Sequence, residues 1–175
     1  MRDLNLVLLQ QTLMWQDPPV NRARFGALLD AVTGADLVLL PEMFSTGFTM
    51  EPAVCAEDMN GASIGWMRER AARLDAAIGG SLVVREAAGF RNRFVLASPD
   101  GALECYDKRH LFRMAGEHHS YLAGERRVLI EWRGWRLCPM VCYDLRFPVW
   151  SRNRGDYDVL IYVANWPARR REHWR

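Results

Sequence analysis

Two spacings of apolar residues alternate along this chain. Compact apolar runs occupy Leu4–Gln11, Leu37–Leu40, Ala76–Arg85, Phe94–Ser98, Leu103–Asp107, Val128–Trp132, Trp135–Val141 and Val159–Ala164. Their length and their content of Val, Ile, Leu and aromatic residues predict strands, the first of them buried. Helical spacing covers Pro19–Val32, closed by Gly34, and a segment opened by Gly61 that runs to about Leu74. In the second, Ile64, Met67, Ala71 and Leu74 share one face. Pro99-Asp-Gly101 and Arg133-Gly134 predict tight turns between neighbouring strands. The Gly- and His-containing stretch from Arg113 to Gly124 reads as a loop. Helices and strands that alternate and then give way to hairpins indicate an α/β fold with a mixed sheet. No repeat, low-complexity stretch or linker interrupts the 175 residues, so one domain over 1–175 is expected.

Composition narrows the class. With half its residues hydrophobic and a quarter charged, the chain has the make-up of a soluble globular protein. No apolar run approaches the ~18 residues of a membrane span, and acidic Asp3 with no small-residue cleavage site argues against a secretory leader. Cys55, Cys105, Cys138 and Cys142 form no C-x-x-C pair, which favours reduced thiols and a cytoplasmic setting. Residues 1–100 carry 9 basic and 12 acidic side chains and residues 101–175 carry 14 and 9. Apart from Arg169-Arg-Arg171 the excess arginine is scattered, the pattern of a solvated face, so nucleic acid is not an expected partner.

Chemistry concentrates where strands end. The run Trp135–Val141 stops at Cys142, and the polar turn Tyr143-Asp-Leu-Arg-Phe-Pro148 follows at once. Backbone N–H groups at such a junction are expected to lower a thiol's pKa and to hold an oxyanion. Leu37–Leu40 runs through Pro41 into Glu42, and Leu103–Asp107 runs into Lys108. Open α/β sheets gather catalytic groups at strand ends, so a carboxylate, an ammonium and a thiol placed there suggest one site. Taken singly, each has an ordinary reading: a core cysteine, a solvated or capping glutamate, a surface lysine.

Three segments together resemble the signatures of the nitrilase superfamily of carbon–nitrogen hydrolases: Pro41-Glu-Met-Phe-Ser-Thr-Gly-Phe48, Tyr106-Asp-Lys-Arg-His-Leu-Phe112 and Val141-Cys-Tyr-Asp-Leu-Arg-Phe-Pro148. Their order matches, and the detail is most similar to the ω-amidase branch. The resemblance implies a four-layer α-β-β-α sandwich, with Ala164-Asn-Trp-Pro167 as the strand end beside the site and further elements beyond residue 175, so that Leu160, Tyr162 and Trp166 should be left exposed or covered only by a partner chain. It implies that Cys142 is the nucleophile, Glu42 the proton carrier, and Lys108 with the Tyr143 N–H the oxyanion donors. Glu117 matches the family's second glutamate, which would orient Lys108 or place the amide. Implied substrates are small 2-oxo acid ω-amides, such as 2-oxoglutaramate or the keto analogue of methionine amide, as in methionine salvage or glutamine transamination. Their far carboxylate needs a cation, for which Arg146 and Arg113 are candidates. No cofactor is needed, and a homodimer paired near Cys142 is implied.

Other readings are weaker. His118 and His119 with Cys138 and Cys142 invite a zinc site, but adjacent histidines should diverge and C-x₃-C lacks zinc spacing, so no metal is expected. Cys55, Cys105 and Cys138 are assigned to core packing. No G-x-S-x-G supports a serine hydrolase. The remaining alternatives are an N-carbamoyl or aliphatic amidase of the same superfamily and a non-catalytic binding or assembly fragment.

Overall fold

A computed structural model describes residues 3–173. In chain order the elements are β1 (Leu6–Leu8), α1 (Pro18–Leu29), β2 (Leu37–Leu39), α2 (Pro52–Cys55), α3 (Ala62–Leu74), β3 (Ala77–Glu86), β4 (Gly89–Ala97), β5 (Leu103–Asp107), α4 (Glu117–Ser120), β6 (Ile130–Trp132), β7 (Trp135–Val141), α5 (Pro148–Ser151) and β8 (Val159–Val163). Single 3₁₀ turns occupy Arg113–Ala115 and Cys142–Arg146, and a kinked one Ala168–His173.

The strands form two mixed sheets, ordered β1-β2-β3-β4-β5 and β6-β7-β8. In the first, β1, β2 and β3 pair in parallel while β4 is antiparallel to both β3 and β5. It follows that β2, β3 and β5 run in the same direction and finish at the same edge. In the second sheet, β8 lies parallel to β7 with Val163 opposite Val141, so the last strand is the neighbour of the one that leads to Cys142.

Both faces of the first sheet are buried. One takes α1 and α3: Phe25 and Leu29 from α1 and Ile64, Met67 and Ala71 from α3 pack on Val38, Ile78, Leu82 and Val95. The opposite face meets the second sheet, where Leu37, Leu39, Phe94, Leu96 and Tyr106 close on Leu137, Met140, Val141, Ile161 and Val163. A fully buried Leu, Ile or Phe contributes about 1.5–3 kcal/mol relative to exposure, so this double burial holds the strand ends rigidly. The described residues thus build helix, sheet and sheet layers. On the outer face of β8, Leu160 is 38% exposed, while Tyr162 is half-buried.

Four expectations need correction. The first strand shrinks to three residues at the sheet edge and is not buried, with Leu6 41% and Leu8 67% exposed. The strand expected at Phe94–Ser98 begins at Gly89, because the turn Ala87-Ala88 makes β3 and β4 one long hairpin. The loop Arg113–Gly124 holds a 3₁₀ turn and the short α4. Among the thiols, Cys138 is buried between the sheets and Cys105 packs partly on the helical core, but Cys55 on α2 is half-exposed and belongs to neither.

Candidate active site

β2 delivers Glu42, β5 delivers Lys108 and β7 delivers Cys142 within three residues of each strand's end. Glu42, Lys108 and Glu117 are at most 1% exposed, and Cys142 is 8% exposed. The Lys108 ammonium donates to Glu42 Oε1 at 2.9 Å and to both oxygens of Glu117 at 3.0 and 2.9 Å. The Cys142 thiol is buried close enough to this cluster to feel the charges of Glu42 and Lys108. All four residues singled out from the sequence are therefore in one buried cluster.

Local backbone explains how they are held. Cys142 has φ 44 and Met43, beside Glu42, has φ 47, both in the left-handed region. Non-glycine residues persist there only where the surroundings dictate it, and such strain clusters at functional sites. For Cys142 the constraint comes from Asp144. This fully buried carboxylate accepts from the backbone N–H of Val141 at 3.0 Å, the N–H of His110 at 2.9 Å and the Tyr106 hydroxyl at 2.7 Å, and pairs with His110 Nδ1 at 2.8 Å. Gly124 packs so tightly on the Asp107 backbone that any Cβ there would collide with it, and its N–H donates to Lys108 O at 2.8 Å.

Several members of the site carry no role in the sequence reading, although Ala164-Asn-Trp-Pro167 is expected beside it. Asn92 on β4 donates from Nδ2 to Glu42 at 2.9 Å and to Glu117 at 3.2 Å. Its Oδ1 accepts from the Ser81 hydroxyl, which in turn accepts from the Met43 N–H. The Asn165 N–H donates to Glu42 Oε2 at 3.0 Å. Trp166, in the segment expected beside the site, aims its indole N–H at Cys142 Sγ, 2.9 Å away, and so is not left for a partner chain to cover. The available signal was a polar Asn inside an apolar strand and the Asn-Trp pair just past β8.

Electrostatics correct a second expectation. Cys142 is not shifted down: burial pushes the thiol above the usual cysteine range and Glu42's charge adds to this, outweighing Lys108 and the Trp166 N–H. Backbone dipoles at a five-residue turn cannot offset a desolvated site holding two glutamates and one lysine. Lys108 is pulled down by burial, but Glu42 and Glu117 more than restore it and leave it above the ordinary lysine value. Burial and the Glu42 charge hold Glu117 above the usual carboxylate range despite the opposing effect of Lys108. Burial and the neighbouring carboxyl group thus favour the neutral form of the resting thiol, while the two glutamates lock the ammonium in place.

A cavity of about 200 Å³ opens over the sulfur. Its walls are Phe48, Phe112, Met114, Tyr143 and Trp166, with Asn165, Arg146 and Arg170 as polar members. Arg146 thus reaches the pocket. Arg113, the other cation considered, is exposed and is not part of the wall. His118 and His119 do not diverge as expected, since their rings fold together 3.8 Å apart.

Residues 8–175 match the family model for carbon-nitrogen hydrolases. The chain belongs to that family. It is 55% identical to the omega-amidase YafV of Yersinia enterocolitica and 51% identical to that of Escherichia coli K12, in each case over the whole chain and 68% of the relative. The hydrolase is also similar to XC1258 of Xanthomonas campestris, a CN-hydrolase superfamily protein with an arsenic adduct in its active site. That likeness has a TM-score of 0.96 at 51% identity and covers 99% of this chain and 69% of the other. An amidase from Nesterenkonia shares the fold, with a TM-score of 0.82 over 92% of this chain and 64% of that one. Among the described residues no helix is long and apolar enough to cross a membrane.

Proposed function

We propose that this chain is a thiol amidohydrolase acting on a small ω-amide, with Cys142 as nucleophile. The observation that carries the reading is the buried cluster in which the Lys108 ammonium is bound to Glu42 at 2.9 Å and to Glu117, with the Cys142 sulfur on the wall of the adjoining cavity. Cys142 gives its proton to Glu42 as sulfur bonds to the amide carbon. The carbonyl oxygen becomes negative and is held by the Lys108 ammonium and the Tyr143 N–H. Glu42 passes the proton to the nitrogen, the C–N bond breaks, and ammonia leaves a thioester. Glu42 then takes a proton from water, the hydroxide adds to the thioester, the C–S bond breaks, and the sulfur regains its proton as the carboxylic acid departs.

Because the ground-state thiol is shifted up, sulfur is a strong nucleophile only while its proton is moving to Glu42. This restricts reaction to bound substrate. Glu117 acts through Lys108: both its oxygens lie within hydrogen-bond reach of the ammonium and Oε2 also accepts the Phe112 N–H at 2.5 Å, linking oxyanion donor to pocket wall. Substrates of the 2-oxoglutaramate class are supported by the omega-amidase relatives and by 32% identity over 146 residues to a 2-oxoglutaramate amidase of Bacillus subtilis. Four free cysteines fit a reducing, cytoplasmic setting. Exposed Phe147 and Val149, which follow the turn Cys142–Arg146 and lead into α5, support a homodimer through that face.

Ammonia release from a panel of small amides, with Cys142→Ala as control, tests the reading. Turnover of a 2-oxo acid ω-amide that vanishes in the variant is expected. Turnover that survives in Cys142→Ala overturns it, and preference for an N-carbamoyl substrate reassigns it within the family.

A further inference from the structure

Two consecutive residues just past β8 meet the two partners of the thiol's proton transfer. The Asn165 backbone N–H donates to Glu42 Oε2 at 3.0 Å, and the Trp166 indole N–H lies 2.9 Å from Cys142 Sγ. Asn165 steadies the carboxylate that takes the proton. The indole has no part in the reaction described above, yet it touches the reacting atom. Its position is fixed from several sides. β8 runs beside β7 with Val163 opposite Val141, Trp166 packs on the core between the sheets, and the Arg170 guanidinium carbon lies 5.1 Å from its ring centroid. A cation over an indole face is attracted to the ring and sets its pitch.

An indole nitrogen donates and cannot accept, so this contact strengthens as negative charge builds on sulfur. The other charged groups facing the thiol are Glu42, past β2, and Lys108, past β5. Glu117 stands behind Lys108, and Arg146 and Arg170 lie further out on the cavity wall. Glu42 opposes charge on sulfur. Lys108 is bound to both glutamates and serves the carbonyl oxygen. The donor aimed at the sulfur itself is Trp166.

We infer that Trp166 is a catalytic residue whose indole N–H holds the Cys142 thiolate as the leaving group when the thioester is hydrolysed. The inference rests on the amidohydrolase reading above. In acylation the sulfur starts as a thiol, and its proton passes to Glu42 while the S–C bond forms, so little charge accumulates on it. Hydrolysis is different. Glu42 takes a proton from water, the hydroxide adds to the thioester carbon, and the intermediate then collapses with the C–S electron pair going to sulfur. That charge sits in a buried site until Glu42 returns the proton and the carboxylic acid departs. A buried anion without a donor is costly, and the indole supplies one.

Trp166→Phe keeps an aromatic ring without the N–H, and Trp166→His keeps an N–H on a smaller ring. Both are mixed with p-nitrophenyl butyrate, an activated ester whose burst of nitrophenol reports acylation and whose linear phase reports thioester hydrolysis. Trp166→Phe is expected to slow the linear phase about 10–100-fold, the scale of one hydrogen bond to a charged group, while the burst rate stays within about threefold. Trp166→His should recover part of the linear rate. In substrate-free protein, the pH profile of iodoacetamide labelling at Cys142 should move to higher pH in Trp166→Phe, because the thiolate has lost a donor. A third arm needs no change at Trp166. With ¹⁵N-tryptophan in the otherwise unaltered chain, one of the seven indole N–H resonances should move upfield when Cys142→Ala removes the sulfur.

Equal slowing of burst and linear phases would mean that the ring serves only to shape the site, and would overturn the inference. An unchanged linear phase overturns it too, as does a set of indole resonances that ignores Cys142→Ala. If Trp166→Phe does not fold, Trp166→His and the resonance arm carry the decision. A parent protein that shows no burst and releases no ammonia from any amide contradicts the amidohydrolase reading instead. The labelling profile and the resonances then still decide whether Trp166 holds the thiolate.

Discussion

Tyr106 donates a 2.7 Å hydrogen bond to Asp144, and these residues stand two positions from Lys108 and Cys142 respectively. The bond crosses from the first sheet to the turn after the second, so it sets how far the ammonium lies from the sulfur. The Tyr106 hydroxyl also accepts from the Trp150 indole N–H at 3.1 Å and the Arg109 N–H at 3.3 Å. Asp144 itself is fully buried, and besides Tyr106 it is held by the Val141 and His110 N–H groups and the His110 ring.

Tyr106→Phe should therefore loosen the site more than the fold. Leaving one buried acceptor short costs about 1–3 kcal/mol, a loss of roughly 2–4 °C in Tm per kcal/mol for a chain of this size. The activity change should appear in kcat with KM little altered, since the pocket walls are untouched. Thermal melts and steady-state kinetics on one preparation check this. An unchanged kcat would show that the crossing bond does not position the pair.

Glu42→Gln should move two properties of Cys142 in opposite directions. Glu42's charge is the second cause, after burial, of the raised thiol pKa. Removing it lowers that pKa, so a larger fraction of Cys142 is thiolate at pH 8 and iodoacetamide should label it faster than in the parent. Amide turnover should fall by a factor of about 10²–10⁴, since the proton carrier is gone. Labelling and turnover that fall together would mean Glu42 activates the thiol in the resting protein.

Glu117→Gln should expose the pH dependence of Lys108. The lysine is raised because Glu42 and Glu117 outweigh the opposing effect of burial. A raised lysine contributes stability that is complete below the ordinary value of about 10.4 and is lost only as pH rises through its higher folded value. Without Glu117 that folded value drops. The alkaline loss of both activity and stability should begin at lower pH in the variant, and kcat near neutrality should fall about 10²-fold as the oxyanion donor is misaligned. Superimposable alkaline limbs for parent and variant would contradict this role.

How much of the site could be read from sequence depends on how each residue is brought in. Glu42, Lys108 and Cys142 follow directly from strand ends, and a strand end is visible as an apolar run that stops. Asn92 is different. It sits mid-strand in β4, opposite Val83, and its role appears only when the hairpin register places it between two glutamates from remote segments. The segment Ala164–Pro167 is legible as a strand end beside the site, but that the Trp166 N–H turns inward to sulfur is not. The pKa of Cys142 was misjudged for a related reason. Local backbone dipoles are legible in sequence, but desolvation by two facing sheets is not. β1 fails the buried-strand reading because only one neighbour pairs with it, leaving Leu8 facing outward.

The most direct test of the account is to trap the thioester. The protein is mixed with a 2-oxo acid ω-amide, quenched in acid within the first turnover, digested and analysed by mass spectrometry. The account predicts that the peptide containing Cys142 gains the mass of the acyl group, that hydroxylamine removes it, and that Cys142→Ala shows neither adduct nor ammonia. Ammonia release with an unmodified Cys142, or an acyl group carried by Cys55, Cys105 or Cys138, would contradict it.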